Sequence, residues 1–457
     1  MKFGKTIILL AAFIALLAFV VIFESKGHKA EERRAKEEKL VDLAASDIQR
    51  MELKNGAEVL AFKKDDKGEW LITGPLQAKA DGSEVNSLAD NFASLKFERV
   101  VEAEPKDLKA YEIPGRELSL WAKGAEKPVR LLFGMENPID KTLFAQREGE
   151  KRVVLLAGFL KTSLEKKLFD FRDKTVFKLD TTGVGAIKVK SKAASWEAVK
   201  KDESWELGEP VKALAGKSKV EALIEALSGL RAKEFVSESR TEGDIRKAGL
   251  DKPDYEVSLM MPGSNAQAVF AIRKDGDKVY ASDSLVDKIV LVESSILAEL
   301  DKKPGDYREK KVAVFNSWEV DRIALAGVAV PLAAVKEKEK DLDKWRLEIA
   351  AKPWADGSRI ETLIRKIEGL EASEFIDAPK TLAEYGLEKP SAEVRLRIKE
   401  NDGRSREVVL LVGKETPEKK QVVVKNSSLG YLFLVDSAFL QDLPKTAKDW
   451  TETEPAK

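Results

Sequence analysis

Three tryptophans set the frame of this chain. Trp70, Trp205 and Trp345 are each followed two residues later by an aliphatic side chain (Ile72, Leu207, Leu347) and thirteen residues later by a serine, Ser83, Ser218 or Ser358. Seventeen residues beyond each serine stands an apolar residue: Val100, Phe235 or Phe375. Two spacings kept in three places mark an internal repeat of roughly 135 residues, and a repeat obliges every copy to adopt the same supersecondary unit.

Inside each copy the pattern alternates between two periods. After the serine, Val85, Leu88, Phe92 and Leu95 recur at helical spacing; Val220, Leu223, Leu227 and Leu230 do so in the second copy, and Ile360, Leu363, Ile367 and Leu370 in the third. That spacing makes one apolar stripe on an amphipathic helix. Ser218 with Glu221 and Ser358 with Glu361 read as S-x-x-E capping boxes, and Ser83 with Asn86 as a weaker one. ADG before the first and third serines, with Asp81 and Asp356, reads as turn chemistry leading into the helix, the register holding AGK in the second copy. Next come Tyr111-Glu112-Ile113-Pro114, Ala248-Gly249-Leu250 and Tyr385-Gly386-Leu387, turns that open runs of alternating residues such as VRLLF, VVLL, KIVLV, EVVLLV, QVVV and YLFLV. Period-two alternation between turn residues predicts antiparallel strands with one face buried. A short helix near 161–168, 295–300 and 438–442 closes each copy. The junctions also match, Asp170-Phe171-Arg172-Asp173-Lys174 paralleling Asp306-Tyr307-Arg308-Glu309-Lys310.

The expected fold class is therefore α+β, with three tandem modules over residues 46–176, 177–315 and 316–450 and a polar tail over 451–457. Ahead of them, residues 7–23 read IILLAAFIALLAFVVIF, an uncharged run opened by Ile7 and closed by Phe23 and preceded by Lys2 and Lys5. As a helix it spans roughly 26 Å, close to the hydrocarbon thickness of a bilayer. It is longer than the apolar region of a cleaved leader and has no small-x-small site directly after it, so residues 1–28 read as a signal anchor. Six basic residues follow the run within 26–39, which the positive-inside rule would keep cytoplasmic; a short basic leader and long downstream domains favour export instead. Residues 29–45 open with KAEERRAKEEK, where Glu32 faces Lys36 and Arg34 faces Glu38 one helical turn on, and read as a charged helical stalk.

Catalytic chemistry is scarce. There is no cysteine, and the one histidine, His28, lies beside the apolar run, so thiolate nucleophiles and histidine metal sites are excluded and no metal or cofactor site is expected. Charged residues make up 35% of the chain and cancel to a net charge of zero, which does not describe a nucleic-acid binder. Gly183-Val184-Gly185 lacks the third glycine of a dinucleotide loop. Ser163 and Lys166 form an S-x-x-K pattern without its S-D-N or K-T-G companions, leaving a serine hydrolase as a remote alternative. Trp70, Trp205 and Trp345 read as core anchors because their spacing to the helix is fixed. Trp354, Trp318 and Trp196 lie outside that spacing and are the candidates for exposed recognition.

The anchor, the W-x-[LI] strand, the ADGS helix start, the Tyr-Gly-Leu turn with its proline and the arginine-bearing junctions together resemble a bacterial family, domain-of-unknown-function family 4340. Members are often encoded beside gliding-motility-type ABC transporter components. The resemblance implies a non-enzymatic accessory of an ABC-type system, with a permease and an ATPase as partners, anchored in the bacterial inner membrane with a cytoplasmic amino terminus and a periplasmic bulk. A binding protein for an envelope polysaccharide or lipid is the alternative.

Overall fold

A computed structural model describes residues 39–177, 180–261, 267–327, 331–400 and 403–451. The expected anchor at 7–23, His28 and most of the expected stalk and tail lie outside these residues. Among the described residues no helix is long and apolar enough to cross a membrane. The chain divides between Lys174 and Thr175 into two compact units, the first holding one repeat and the second holding two.

In the first unit nine antiparallel strands between Ile48 and Leu156 form one sheet. In sheet order they are the fourth, third, second, first, sixth, seventh, eighth, ninth and fifth strands along the chain. The first four make a meander running outward from the middle. Helix α1 (Gly82–Ala93) then carries the chain to the far edge, where the fifth strand (Arg99–Glu102) lies, and the last four return beside the first and end against the fifth. Val85, Leu88, Ala89 and Phe92 of α1 are buried against Phe62, Trp70, Ile72, Leu118, Leu131 and Phe133 of the sheet. A smaller cluster of Ile113, Phe144, Val153 and Leu155 covers part of the sheet's other face beneath the single turn Leu108–Tyr111.

The second unit repeats this plan twice. One nine-stranded sheet has the same order, and an eight-stranded one lacks only the fourth strand. In that third repeat Trp354 bridges Arg346, and Ala355 bridges Thr451, where the missing strand would stand. Helices α2 (Lys217–Ser228) and α3 (Gly357–Glu368) bury Val220, Leu223, Ile224 and Leu227, and Ile360, Leu363, Ile364 and Ile367, in line with the periodicity of the sequence. Closing helices stand at Leu160–Glu165 and Ser295–Leu300, and a 3-10 helix at Ser437–Asp442.

Two sequence expectations need correction. The serines do not cap their helices. Asp81 and Asp356 are the N-caps, each carboxylate accepting backbone N–H groups of the first turn, with the hydroxyls of Ser83 and Ser358 donating to the same oxygen at 2.5 and 2.6 Å. Gly216 holds the cap position in the second repeat without a side-chain bond, so Ser218 caps nothing. A carboxylate two residues upstream reaches the exposed N–H groups better than a hydroxyl already inside the first turn.

The stalk, expected over 29–45, is not helical over residues 39–44; a 3-10 helix, Ala45–Asp47, begins at its last residue. Leu40 and Val41 are 0% and 1% exposed within the first core, because the charged run stops at Lys39 and apolar side chains follow. The same strap introduces each repeat: Leu40, Val176 and Val312 donate backbone N–H to the carbonyls of Leu95, Leu230 and Leu370 at 2.7, 3.4 and 2.9 Å. Val176 accordingly belongs to the second core together with Phe177, where that module was expected to begin, and Val312, Ala313 and Phe315 belong to the third, ahead of its expected start at 316.

Candidate functional site

The repeat markers are packing residues. Trp70, Trp205 and Trp345 are 2–3% exposed. The indole N–H of Trp70 donates to Asn86 at 2.7 Å, whereas those of Trp205 and Trp345 are buried without a partner among the described residues. At the position of Asn86 the second and third repeats have the longer Glu221 and Glu361, neither of which meets the indole.

The recognition candidates separate. Trp196 is buried at 4% exposure, its ring stacked 4.4 Å from Tyr307, which corrects the expectation of an exposed platform. It lies on a strand between two other strands, and the closing segment of its own repeat covers it. Trp354 is half-buried with the Arg346 guanidinium 4.0 Å over its ring, so the face that would stack on a sugar is taken by a cation. Trp318 is 72% exposed in the turn Ser317–Glu319, with Val314 beside it in sequence at 52%.

Ser163 and Lys166 do not form a dyad. The Ser163 hydroxyl accepts from Asn91 Nδ2 at 3.2 Å, while the Lys166 ammonium is ion-paired with Glu84. The lysine is held by that ion pair, and the serine hydroxyl is engaged by the asparagine amide, so the two side chains are turned to different partners. Among the described residues no group of three or more His, Asp or Glu side chains is placed to hold a metal ion.

Two features remain with an arrangement suited to binding. The first is the outer edge of the first repeat's sheet. Its fifth strand, Arg99–Glu102, pairs with Val153–Leu156 on one side only, and all four of its residues are exposed, Val100 at 42% and Val101 at 40%. Charge stands only at the ends of this strand and its centre is two β-branched residues, with an irregularity in the ladder at Val101, between the pairs Val100–Val154 and Glu102–Val153.

The second feature is the joint between the second and third repeats, both in the same unit. A cleft of 510 Å³ opens between them, walled by Val199, Leu207 and Leu214 on one side and by Leu429, Gly430 and Tyr431 on the other. Behind Tyr431 the Arg308 side chain, 3% exposed, crosses from the second repeat into the third. Its guanidinium lies 3.7 Å from the Phe375 ring and 4.2 Å from the Tyr431 ring, and Nη1 meets Asp377 at 2.5 Å. Burial pushes the Tyr431 phenol up, so its hydroxyl stays protonated at neutral pH and accepts the Leu214 N–H at 3.4 Å.

The arginine itself was visible in the sequence as part of the repeated junction. Its partners were not, because Tyr431 and Asp377 lie 123 and 69 residues further on, and the matching positions of the second repeat hold Lys288 and Ser237.

The model of one protein family, described as a domain of unknown function (DUF4340), matches this chain three times, over residues 70–253, 205–381 and 345–457. No curated protein matches it. Among solved structures, the DNA polymerase sliding clamp of Pseudomonas aeruginosa with ligand aligns at 5% identity over 87% of this chain and 93% of the clamp chain, with a TM-score of 0.16. A second structure of that clamp aligns at 6% identity over 86% and 92%, also at 0.16. Alignments at that score carry no argument about fold or partner.

Proposed function

The chain belongs to the DUF4340 family, and from there we propose that it is a non-enzymatic scaffold, an accessory of an ABC-type transport system whose sheet edges receive extended segments of partner proteins. The partners in this reading are the permease and the ATPase. The apolar run at 7–23 tethers the chain to the bacterial inner membrane, leaving the repeats on the periplasmic side to meet whatever parts of the transporter reach there.

The observation that carries this reading is the open edge Arg99–Glu102. An edge strand offers a row of backbone donors and acceptors, and an incoming extended segment pairs with them whatever its sequence, while Val100 and Val101 supply apolar contact. Repetition supports it too, since the second and third repeats keep a fifth strand at the equivalent edge (Glu234–Ser237 and Glu374–Ile376), with Val236 43% exposed.

The test is affinity purification of the full-length protein from gently solubilised membranes, with partners identified by mass spectrometry. Wild type should recover a permease and an ATPase. Val101→Pro, which removes an N–H and cannot continue a ladder, should lose them while the circular dichroism spectrum is kept. Equal recovery by the variant would remove the edge from the account, and recovery of neither partner by wild type would remove the transporter.

The exposure of Trp318 favours a second reading, in which the third repeat binds an envelope polysaccharide or lipid. Trp318→Ala should then weaken retention on the isolated envelope polysaccharide or on lipid vesicles, and unchanged retention on both would exclude it.

A further inference from the structure

We propose that Arg308 is a clasp that makes the second and third repeats one rigid body and fixes the width of the cleft they share. The backbone around it is bound on both sides. Toward the second repeat, Tyr307 O accepts from Gly216 at 2.8 Å, and Glu309 N–H donates to Leu214 O at 2.9 Å. Toward the third, Lys310 O accepts from Ala372 at 2.8 Å, and Val312 N–H donates to Leu370 O at 2.9 Å. Asn426, itself buried, donates to Val312 O at 3.0 Å. The six residues 307–312 therefore pass from one repeat into the other with the backbone bound at both ends.

The side chain adds what the backbone cannot. A guanidinium is planar and weakly hydrated, so it can lie between two aromatic faces and still meet a carboxylate in its own plane. Phe375, Tyr431 and Asp377 supply those three contacts, all from the third repeat. Nε and Nη2 are buried without hydrogen-bond partners among the described residues, so the clasp holds its cation at a desolvation cost that close stacking and the ion pair offset. Burial of that kind is unfavourable unless the two repeats stay together, and this makes the arginine sensitive to any opening of the joint. Ala213 of the second repeat, packed within the third repeat's core, leaves the joint little freedom to slide.

The cleft is tied to the same residues. Leu214 and Tyr431 line it and are also the two partners of the hydrogen bond beside the clasp. Its walls come from different repeats, so its width is set by the angle that Arg308 holds.

The absence of cysteine permits a direct measurement. Lys201→Cys and Ser428→Cys, both exposed and on opposite walls, can be spin-labelled in the full chain and their separation read by pulsed electron resonance. One narrow distance distribution is expected. Arg308→Ala should add a second, longer component, and Arg308→Lys should do so as well, because an ammonium keeps the charge without the plane. Asp377→Asn should broaden the distribution less. A single narrow peak in Arg308→Ala would overturn the proposal. If that variant fails to fold, judged by circular dichroism, unchanged peaks in both Arg308→Lys and Asp377→Asn would overturn it.

Discussion

At the scale of single residues, the three copies act as controls for one another. Trp205 and Trp345 bury an indole N–H without a partner where Trp70 has Asn86. A buried unsatisfied donor costs about 1–3 kcal/mol and a hydrogen bond returns about 1, so Glu361→Asn should stabilise the protein by up to about 1 kcal/mol despite the lower helix propensity of asparagine. Asn86→Glu should do the reverse; chemical denaturation of the full chain checks both. At the helix start, Asp356→Ala should cost about 1 kcal/mol by removing an N-cap. The hydrogen bond from Ser358 holds the Asp356 carboxyl below its usual range, helped by the backbone N–H of Arg359 and by the Arg359 charge against the opposing effect of burial. A depressed folded-state value means that this contribution is present above the ordinary carboxylate range and fades as pH falls below it. Denaturation midpoints of wild type and Asp356→Ala should therefore converge below about pH 3.9, the ordinary aspartate value, and differ at neutral pH. The serine at this site was easy to find and the aspartate that does the capping was read as a turn, because both residue types favour helix starts and only geometry separates the cap from the first turn.

At the scale of elements, most of the fold was legible because it rests on local periodicity. The helix stripes, the alternating strands and the turn before the sixth strand each lie within a dozen or so residues. That turn is left-handed in all three copies, at Glu112, Gly249 and Gly386 with φ of 56°, 68° and 70°. Glycine adopts this region freely and glutamate does not, so Glu112→Gly should stabilise the first repeat by about 0.5 kcal/mol once the extra freedom of the unfolded chain is counted. Gly386→Ala should destabilise by about 1 kcal/mol or more, since a Cβ there would also stand 2.8 Å from Lys414 Cγ. Thermal melting of each variant reads both effects. What local pattern could not reveal was long-range pairing. The sheet order places the fifth strand beside the ninth, and the open edge at Val100 and Val101 follows from that topology alone. The partners of Arg308 were hidden for the same reason, and Trp196, lacking a counterpart at its spacing, passed for a surface residue until the closing segment was seen to cover it.

At the scale of the whole molecule, one plan recurs three times, and each copy draws on chain ahead of its own first strand. Each core is completed by residues that precede its sheet, and the first is completed by Leu40 and Val41. Leu40→Ala should cost about 2–5 kcal/mol, the range for emptying a buried leucine site, and should lower the melting transition of the first unit although the residue follows a run of charged residues in the sequence. The strap also has a mechanical meaning. Leu40 and Val41 both donate to Leu95 O, at 2.7 and 3.2 Å, and Leu43 donates to Ala93 O at 2.8 Å, next to side chains locked in the core. A pull on the amino-terminal end would reach this short seam before any strand of the sheet, so the fold carries a fuse where tension enters it. Load beyond what the seam bears would free those residues and expose the apolar floor beneath them.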